Sequence, residues 1–190
     1  MIVLLGIDGA GKTTTAAALT TAVRNTGQPA IMLRNRSCRR WLIHTSRRFG
    51  KELPVRWSDR VETVVRTVNV LLAHGEVLVS LDSRSQLTVM DRHLVCQLVL
   101  RNVRGLPPGW LLPWLSDRLL RTVTVAVLDV PAETAHERIR IRGEDHETLE
   151  YLRAARSAYL DIARSRSWRV VDATETTDVI LTQLLNTAAR

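Results

Sequence analysis

The sequence predicts an α/β fold in which a parallel sheet lies between two layers of helices. Three observations predict it. Apolar, strand-like runs alternate with segments of helical period along the chain, as expected for a sheet buried on both faces. A glycine-rich turn stands between the first apolar run and the first helical segment. Finally, 190 residues with 45% hydrophobic and 24% charged side chains suit one domain with its own core. That composition excludes a disordered or collagen-like chain.

Taken in order, Ile2–Leu5 is the first strand, followed by a helix from Lys12 to Asn25 that Gly27 closes. Ala30–Leu33 is a second strand. Residues 35–56 are basic with an apolar interleave and are expected to form one short helix and loops. Ser58 reads as an N-cap, and Val61, Val64, Val65, Val68, Leu71 and Leu72 then mark one face of a helix that ends at Gly75. Glu76 to Arg84 is read as a separate, shorter helix. Leu87–Met90 is the third strand, ending in Asp91-Arg92, and 106–109 is a turn before a Trp/Leu-rich segment. Val123–Leu128 is the clearest strand, bounded by Asp129 and Pro131. Helices follow over Ala132–Arg142 and Leu149–Ala163, then a strand at Arg169–Val171 and a closing helix from about Asp178.

The opening apolar run, Met1 to Leu5, is far shorter than the ~18 residues a membrane span needs, and no basic segment precedes it. No membrane association and a cytoplasmic location are therefore expected. Cys38 and Cys96 form no CxxC pair, and the five histidines are scattered. The net charge of +8 is carried by residues 1–60, where eleven basic groups face three acidic ones. Nine of those basic groups fall between Arg34 and Arg60. Such a block implies an anionic partner or a solvated basic face.

Gly6-Ile-Asp8-Gly9-Ala10-Gly11-Lys12-Thr13 satisfies G-x-x-x-x-G-K-[ST] at every fixed position, with a strand before it and a helix after it. Small residues let backbone N–H groups close around phosphates at a helix N-terminus. Lys12 would neutralise the β- and γ-phosphates, and Thr13 would place its hydroxyl on Mg2+, with Thr14 completing the ATP-binding set. The fold implied is the P-loop NTPase three-layer α/β/α sandwich. No N-K-x-D guanine-reading sequence is present, and 190 residues leave little room for motor modules. A small-molecule kinase remains.

These residues resemble the thymidylate kinases, P-loop kinases of nucleoside monophosphates. The loop with an acid two residues after its first Gly is similar to that family's opening. Asp91-Arg92-His93 resembles its D-R-[YFH] strand end, and Arg104-Gly105-Leu106 its R-G-[LI] turn. Val127–Pro131 followed by Glu137–Gly143 resembles the family's strand and basic lid, and Tyr159–Ala163 with Val170–Thr174 its closing helix and strand. The resemblance implies a five-stranded parallel sheet in the order 2-3-1-4-5, an acceptor region at about 34–60 and a lid at about 137–147. It implies that ATP and Mg2+ are used and that a phosphorylated small molecule, a nucleotide, is the acceptor. Arg92 and Arg34 would hold the acceptor phosphate, and Asp91 would orient an Arg or the water shell of the metal. Asp8 would meet the acceptor sugar or a metal-bound water. One or more of Arg138, Arg140 and Arg142 would supply lid charge to the transferred group; two residues apart, the three cannot share one helix face. Trp57 and Arg60 would meet the base, with Gln97 nearby, and a homodimer would form through the Ser58–His74 helix. Departures fall at the acceptor: Arg34-Asn-Arg-Ser-Cys38 stands where the family has R-E-P-G-G, and Cys96 and Leu100 replace a Ser and a Tyr. Two alternatives stay open, a P-loop kinase of another phosphorylated or phosphonate metabolite and, third, an ATP-dependent nucleic-acid-binding or 5′-end kinase module. The chain carries no recognition-helix or RNP signature, which leaves a nucleic-acid partner the weakest of the three.

Overall fold

A computed structural model describes residues 1–35, 55–79, 86–143 and 147–188, with the backbone alone for 55–60, 62, 76–79 and 187–188. Five strands, β1 (Ile2–Leu5), β2 (Ala30–Arg34), β3 (Leu87–Asp91), β4 (Thr124–Asp129) and β5 (Arg169–Asp172), form one sheet in the order β2-β3-β1-β4-β5. Every pairing is parallel, as the sequence leads one to expect. β1 lies at the centre, and its four side chains are at most 1% exposed. Burial on both faces explains its unbroken Ile-Val-Leu-Leu run, since each such side chain contributes roughly 1.5–3 kcal/mol when removed from water.

Helices α1 (Lys12–Asn25) and α7 (Thr177–Ala188) pack together on one face. The other face carries α3 (Val95–Val103), α4 (Leu111–Leu120), α5 (Ala132–Ile141) and α6 (Leu149–Ser165), with α6 against both α3 and α5. Gly27, at φ 83°, ends α1 in the left-handed conformation expected of it. Among the described residues no helix is long and apolar enough to cross a membrane.

Helix α2 (Val55–Val79) departs from the sequence reading at both ends. It begins before Ser58, which is therefore an interior residue and not a cap. It runs through Gly75, so no separate helix starts at Glu76. Gly75 does not adopt the positive φ that a glycine stop uses, and an interior Gly costs only about 1 kcal/mol. The apolar stripe also faces outward: Val61, Val64, Val68, Leu71 and Leu72 are exposed, whereas Arg66, Val70 and Ala73 are buried. Helices α3 and α4 are additions to the sequence reading. Pro113 sits at the third position of α4, where the missing N–H would have no intrahelical partner.

Candidate functional site

Parallel register brings the carboxyl ends of β1, β2 and β3 to one edge, with Leu4 and Arg34 both opposite Asp91. Ligands of open α/β sheets bind at such an edge. The loop from Gly6 to Gly11 crosses it. Gly6 and Gly9 hold φ 138° and 84°, and a Cβ on either would lie 2.5 Å from a backbone carbonyl, that of Leu128 or of Ala135. Only glycine lets the loop approach β4 and α5 so closely. Gly11 precedes α1 without any side-chain cap, which leaves first-turn N–H groups for an anion. Ala10 is buried and Thr14 exposed.

Lys12, 5% exposed, curls back over this loop and donates to the Ile7 carbonyl at 2.6 Å and to Asp8 Oδ1 at 3.5 Å. Burial, then the charge of Arg92, pushes its ammonium below the usual range, with Asp8 opposing. Thr13 donates its hydroxyl to Asp91 Oδ2 at 2.5 Å, and Arg34 reaches both, with Nη2 at 3.3 Å from Thr13 Oγ1 and Nε at 3.7 Å from Asp91. The other Asp91 oxygen, Oδ1, is buried with no hydrogen-bond partner among the described residues. A hydroxyl beside a carboxylate with an unmet oxygen is a hard-oxygen donor set that suits Mg2+.

Asp8 is the electrostatic centre of the site. Burial favours its neutral form, but Lys12 and Arg92 overcome it and hold the carboxyl at about 2. Arg92 donates Nη2 to Asp8 Oδ1 and sits at φ 73°, an uncommon conformation for a residue with a Cβ. Burial works against the Arg92 charge as well; Asp8, foremost among its neighbours, more than compensates and raises its pKa. Two residues to which the sequence assigned no role adjoin this cluster. Glu147, just before the Thr148 N-cap of α6, has its carboxyl raised to about 7 by burial and then by the Asp8 charge. Tyr159 of α6, 6% exposed, has its pKa raised well above the ordinary value by burial and then by the neighbouring Cys96.

The three arginines expected in the lid separate. Arg138 points at the loop, donating to the Gly9 carbonyl at 3.3 Å and to the Ala173 carbonyl at 3.4 Å. Arg140 is held on the surface by Glu137 at 2.8 Å, and Arg142 is exposed. Sequence spacing shows that the three diverge but not which one turns inward; only the position of α5 over Gly9 decides that.

Helices α2 and α3 meet at a buried polar contact. Gln97, 0% exposed, accepts from the Thr63 hydroxyl at 3.4 Å, while its Nε2 has no partner among the described residues. Arg66, one turn after Thr63, is 5% exposed. Cys96 and Leu100 are buried on the same helix as Gln97. Thr63 and Arg66 carry no motif, and their inward face becomes evident only once α2 is seen to turn its apolar stripe outward. Trp57 and Arg60 lie within α2 but their side chains are outside the described residues, as are 36–54, the greater part of the expected acceptor region, and 144–146 of the lid.

A family model described as thymidylate kinase matches residues 5–184. The chain is also similar to curated proteins named thymidylate kinase. One from Xanthomonas oryzae pv. oryzae (strain PXO99A) is 30% identical across 96% of this chain and 80% of its own length. One from Xylella fastidiosa (strain 9a5c) is 29% identical across 97% of this chain and 88% of its own. A third, from Xanthomonas campestris pv. campestris (strain B100), is 28% identical across 96% and 80%.

Proposed function

The chain belongs to the thymidylate kinase family, ATP-dependent nucleoside monophosphate kinases, and on that premise we propose that it transfers the γ-phosphoryl group of ATP to dTMP or a closely related pyrimidine nucleotide. The observation that supports the acceptor reading is the buried Gln97 amide, on the helix that follows Arg92 in the chain. Its Nε2 donor has no partner among the described residues and its Oε1 accepts from Thr63, and on this reading the acceptor base reaches that amide. A pyrimidine carbonyl meets that donor, and a buried amide left unpaired rejects an unsuitable base.

Phosphoryl transfer asks for positioning and for positive charge around the transferred group. The α1 N-terminus and loop amides cradle the donor phosphates, and Lys12 swings from the Ile7 carbonyl to meet them. Arg92 and Arg34 hold the acceptor phosphate, and Asp8 fixes Arg92 and meets the acceptor sugar. Arg138, anchored beside Gly9, supplies lid charge; Arg140 and Arg142 serve closure. Thr13 and Asp91 would hold Mg2+, Asp91 partly through water, and the ion would neutralise charge on the donor phosphates. The outward stripe of Val61, Val64, Val68, Leu71 and Leu72 is a hydrophobic face suited to a second copy of the chain. Sedimentation as a monomer at micromolar concentration would exclude that dimer.

The deciding experiment is ADP release with Mg-ATP over a panel of ribo- and deoxynucleoside monophosphates. Turnover highest with dTMP is expected. If dTMP and every other common monophosphate are inert while ATP still binds, the acceptor is a different phosphorylated or phosphonate metabolite.

A further inference from the structure

Arg34 is assigned to the acceptor, yet its guanidinium rests on the ligands assigned to the donor's metal. Its Nη2 lies 3.3 Å from Thr13 Oγ1 and its Nε 3.7 Å from Asp91 Oδ2. Those two side chains offer the hard oxygens that suit Mg2+, and the Thr13 hydroxyl joins them by donating to Asp91 Oδ2 at 2.5 Å. The sheet fixes the backbone at this point. Arg34 stands opposite Asp91 in the β2–β3 register, and the Asn35 N–H extends the ladder by donating to the Asp91 carbonyl at 3.1 Å. Only the Arg34 side chain is therefore able to leave. It is 49% exposed, against 4% for Asp91, and 3.7 Å is too long for a hydrogen bond between them. Arg92, by contrast, is tied to Asp8 by an ion pair that is also a hydrogen bond. Of the two arginines, Arg34 is the loosely held one.

A guanidinium and a divalent cation repel each other at this place. Mg2+ binds oxygen at about 2.0–2.1 Å, so an ion on Thr13 Oγ1 would lie no farther from Nη2 than that bond plus the 3.3 Å contact. We propose that Arg34 is a positioning residue that couples the two substrates: its guanidinium competes with the metal for Thr13 and Asp91, and an acceptor phosphate draws it away and frees both. The inference rests on the kinase reading of the site. The phosphate wins the competition because a guanidinium meets phosphate oxygens through two parallel, charge-assisted N–H bonds. At Thr13 a single N–H meets a neutral hydroxyl. Linkage runs both ways, so the acceptor tightens the metal and the metal tightens the acceptor by the same factor. The metal is thus held most firmly when both substrates are present.

The test uses the full chain and needs no turnover. ADP replaces ATP, Mn2+ is the metal probe, and free Mn2+ is read from its paramagnetic resonance signal with and without saturating dTMP. In wild type, dTMP should tighten Mn2+ about 5-fold. Arg34→Gln removes the competing charge, so without dTMP it should bind Mn2+ about 5-fold more tightly than wild type does. The two gains match because each removes the same contact. In that variant dTMP should add less than about 2-fold, since nothing remains to be drawn away. Calorimetric titration of dTMP into the wild-type ADP complex should show the reciprocal gain when Mn2+ is present. Unchanged Mn2+ affinity in Arg34→Gln would overturn the proposal. So would an equal dTMP effect in the two chains, because the charge of the acceptor phosphate would then account for the coupling without Arg34. Failure of wild type to bind dTMP would sink the acceptor reading alone, since the Mn2+ comparison without dTMP still decides whether Arg34 opposes the metal.

Discussion

Gly9 and Gly27 share almost the same backbone, φ 84° and 83°, but not the same surroundings. A Cβ at Gly27 meets nothing within 4 Å, whereas at Gly9 it would lie 2.5 Å from the carbonyl oxygen, 2.8 Å from the Cα and 2.9 Å from the carbonyl carbon of Ala135. Those are backbone atoms of α5 and cannot rotate aside. Gly27→Ala should therefore lose only the left-handed penalty, roughly 1–2 kcal/mol. Gly9→Ala should lose that amount plus about 1–3 kcal/mol for forcing α5 away from the loop. At about 2–4 °C per kcal/mol for a chain of this size, the two melting temperatures should differ by several degrees. Chemical denaturation of both variants, with ATP affinity measured in parallel, checks the reasoning. Gly9→Ala should weaken ATP binding, because α5 also carries Arg138, and Gly27→Ala should not. Equal stability losses in the two variants, or unchanged ATP affinity in Gly9→Ala, would refute the close approach of loop and lid helix.

Lys12→Ala should lower kcat about 10²–10³-fold with the fold retained, because Lys12 acts on phosphate charge; turnover within 10-fold of wild type would remove Lys12 from the transition state. Arg92→Ala should raise KM for the acceptor while ATP affinity stays near wild type, and a selective loss of ATP affinity would reverse the assignment. His93, 0% exposed with both ring nitrogens unpaired among the described residues and 5.5 Å from the His74 ring, is held neutral by burial and then by His74, which lowers its pKa to about 3. Because the unfolded chain binds that proton near pH 6.5, stability should fall by about 1 kcal/mol per pH unit below 6.5 on its account. His93→Phe should show a shallower acid limb in denaturation, and an unchanged limb would locate the acid sensitivity elsewhere.

Much of this fold is legible in the sequence because its signals are local. β1, the glycine loop and α1 follow one another without a gap, and each buried strand reads as an apolar run. Helix α3 escapes that kind of reading: Val95-Cys-Gln-Leu-Val-Leu is apolar nearly throughout, and Leu94 before it makes no side-chain cap. α4 is hidden by Pro113, and α2 misleads because its apolar period belongs to the exposed face. The phosphate-side residues announce themselves by motif and strand end. Thr63 and Arg66 do not, and Tyr159 is legible only as part of the closing helix, since each reaches the site by packing of a whole helix. Arg138 lies between these cases: the basic stretch Arg138–Arg142 is evident, and its inward member is set by the contact of α5 with Gly9.

Strand order carries one further consequence. With β1 as the seam, one wing of the sheet, β3 and β2, presents Asp91, Arg92 and Arg34, and the other wing, β4 and β5, leads to α5 and the Ala173 turn that Arg138 touches. On the proposed reading, recipient and donor are handled by separate stretches of chain, about 30–104 and 124–174, which meet at the loop at 6–13 and where α6 packs on α3. On that reading, substitutions in the recipient half, where Cys96 and Leu100 stand, need not disturb the donor half. A family built on such a seam can acquire new acceptors without relearning how to hold ATP.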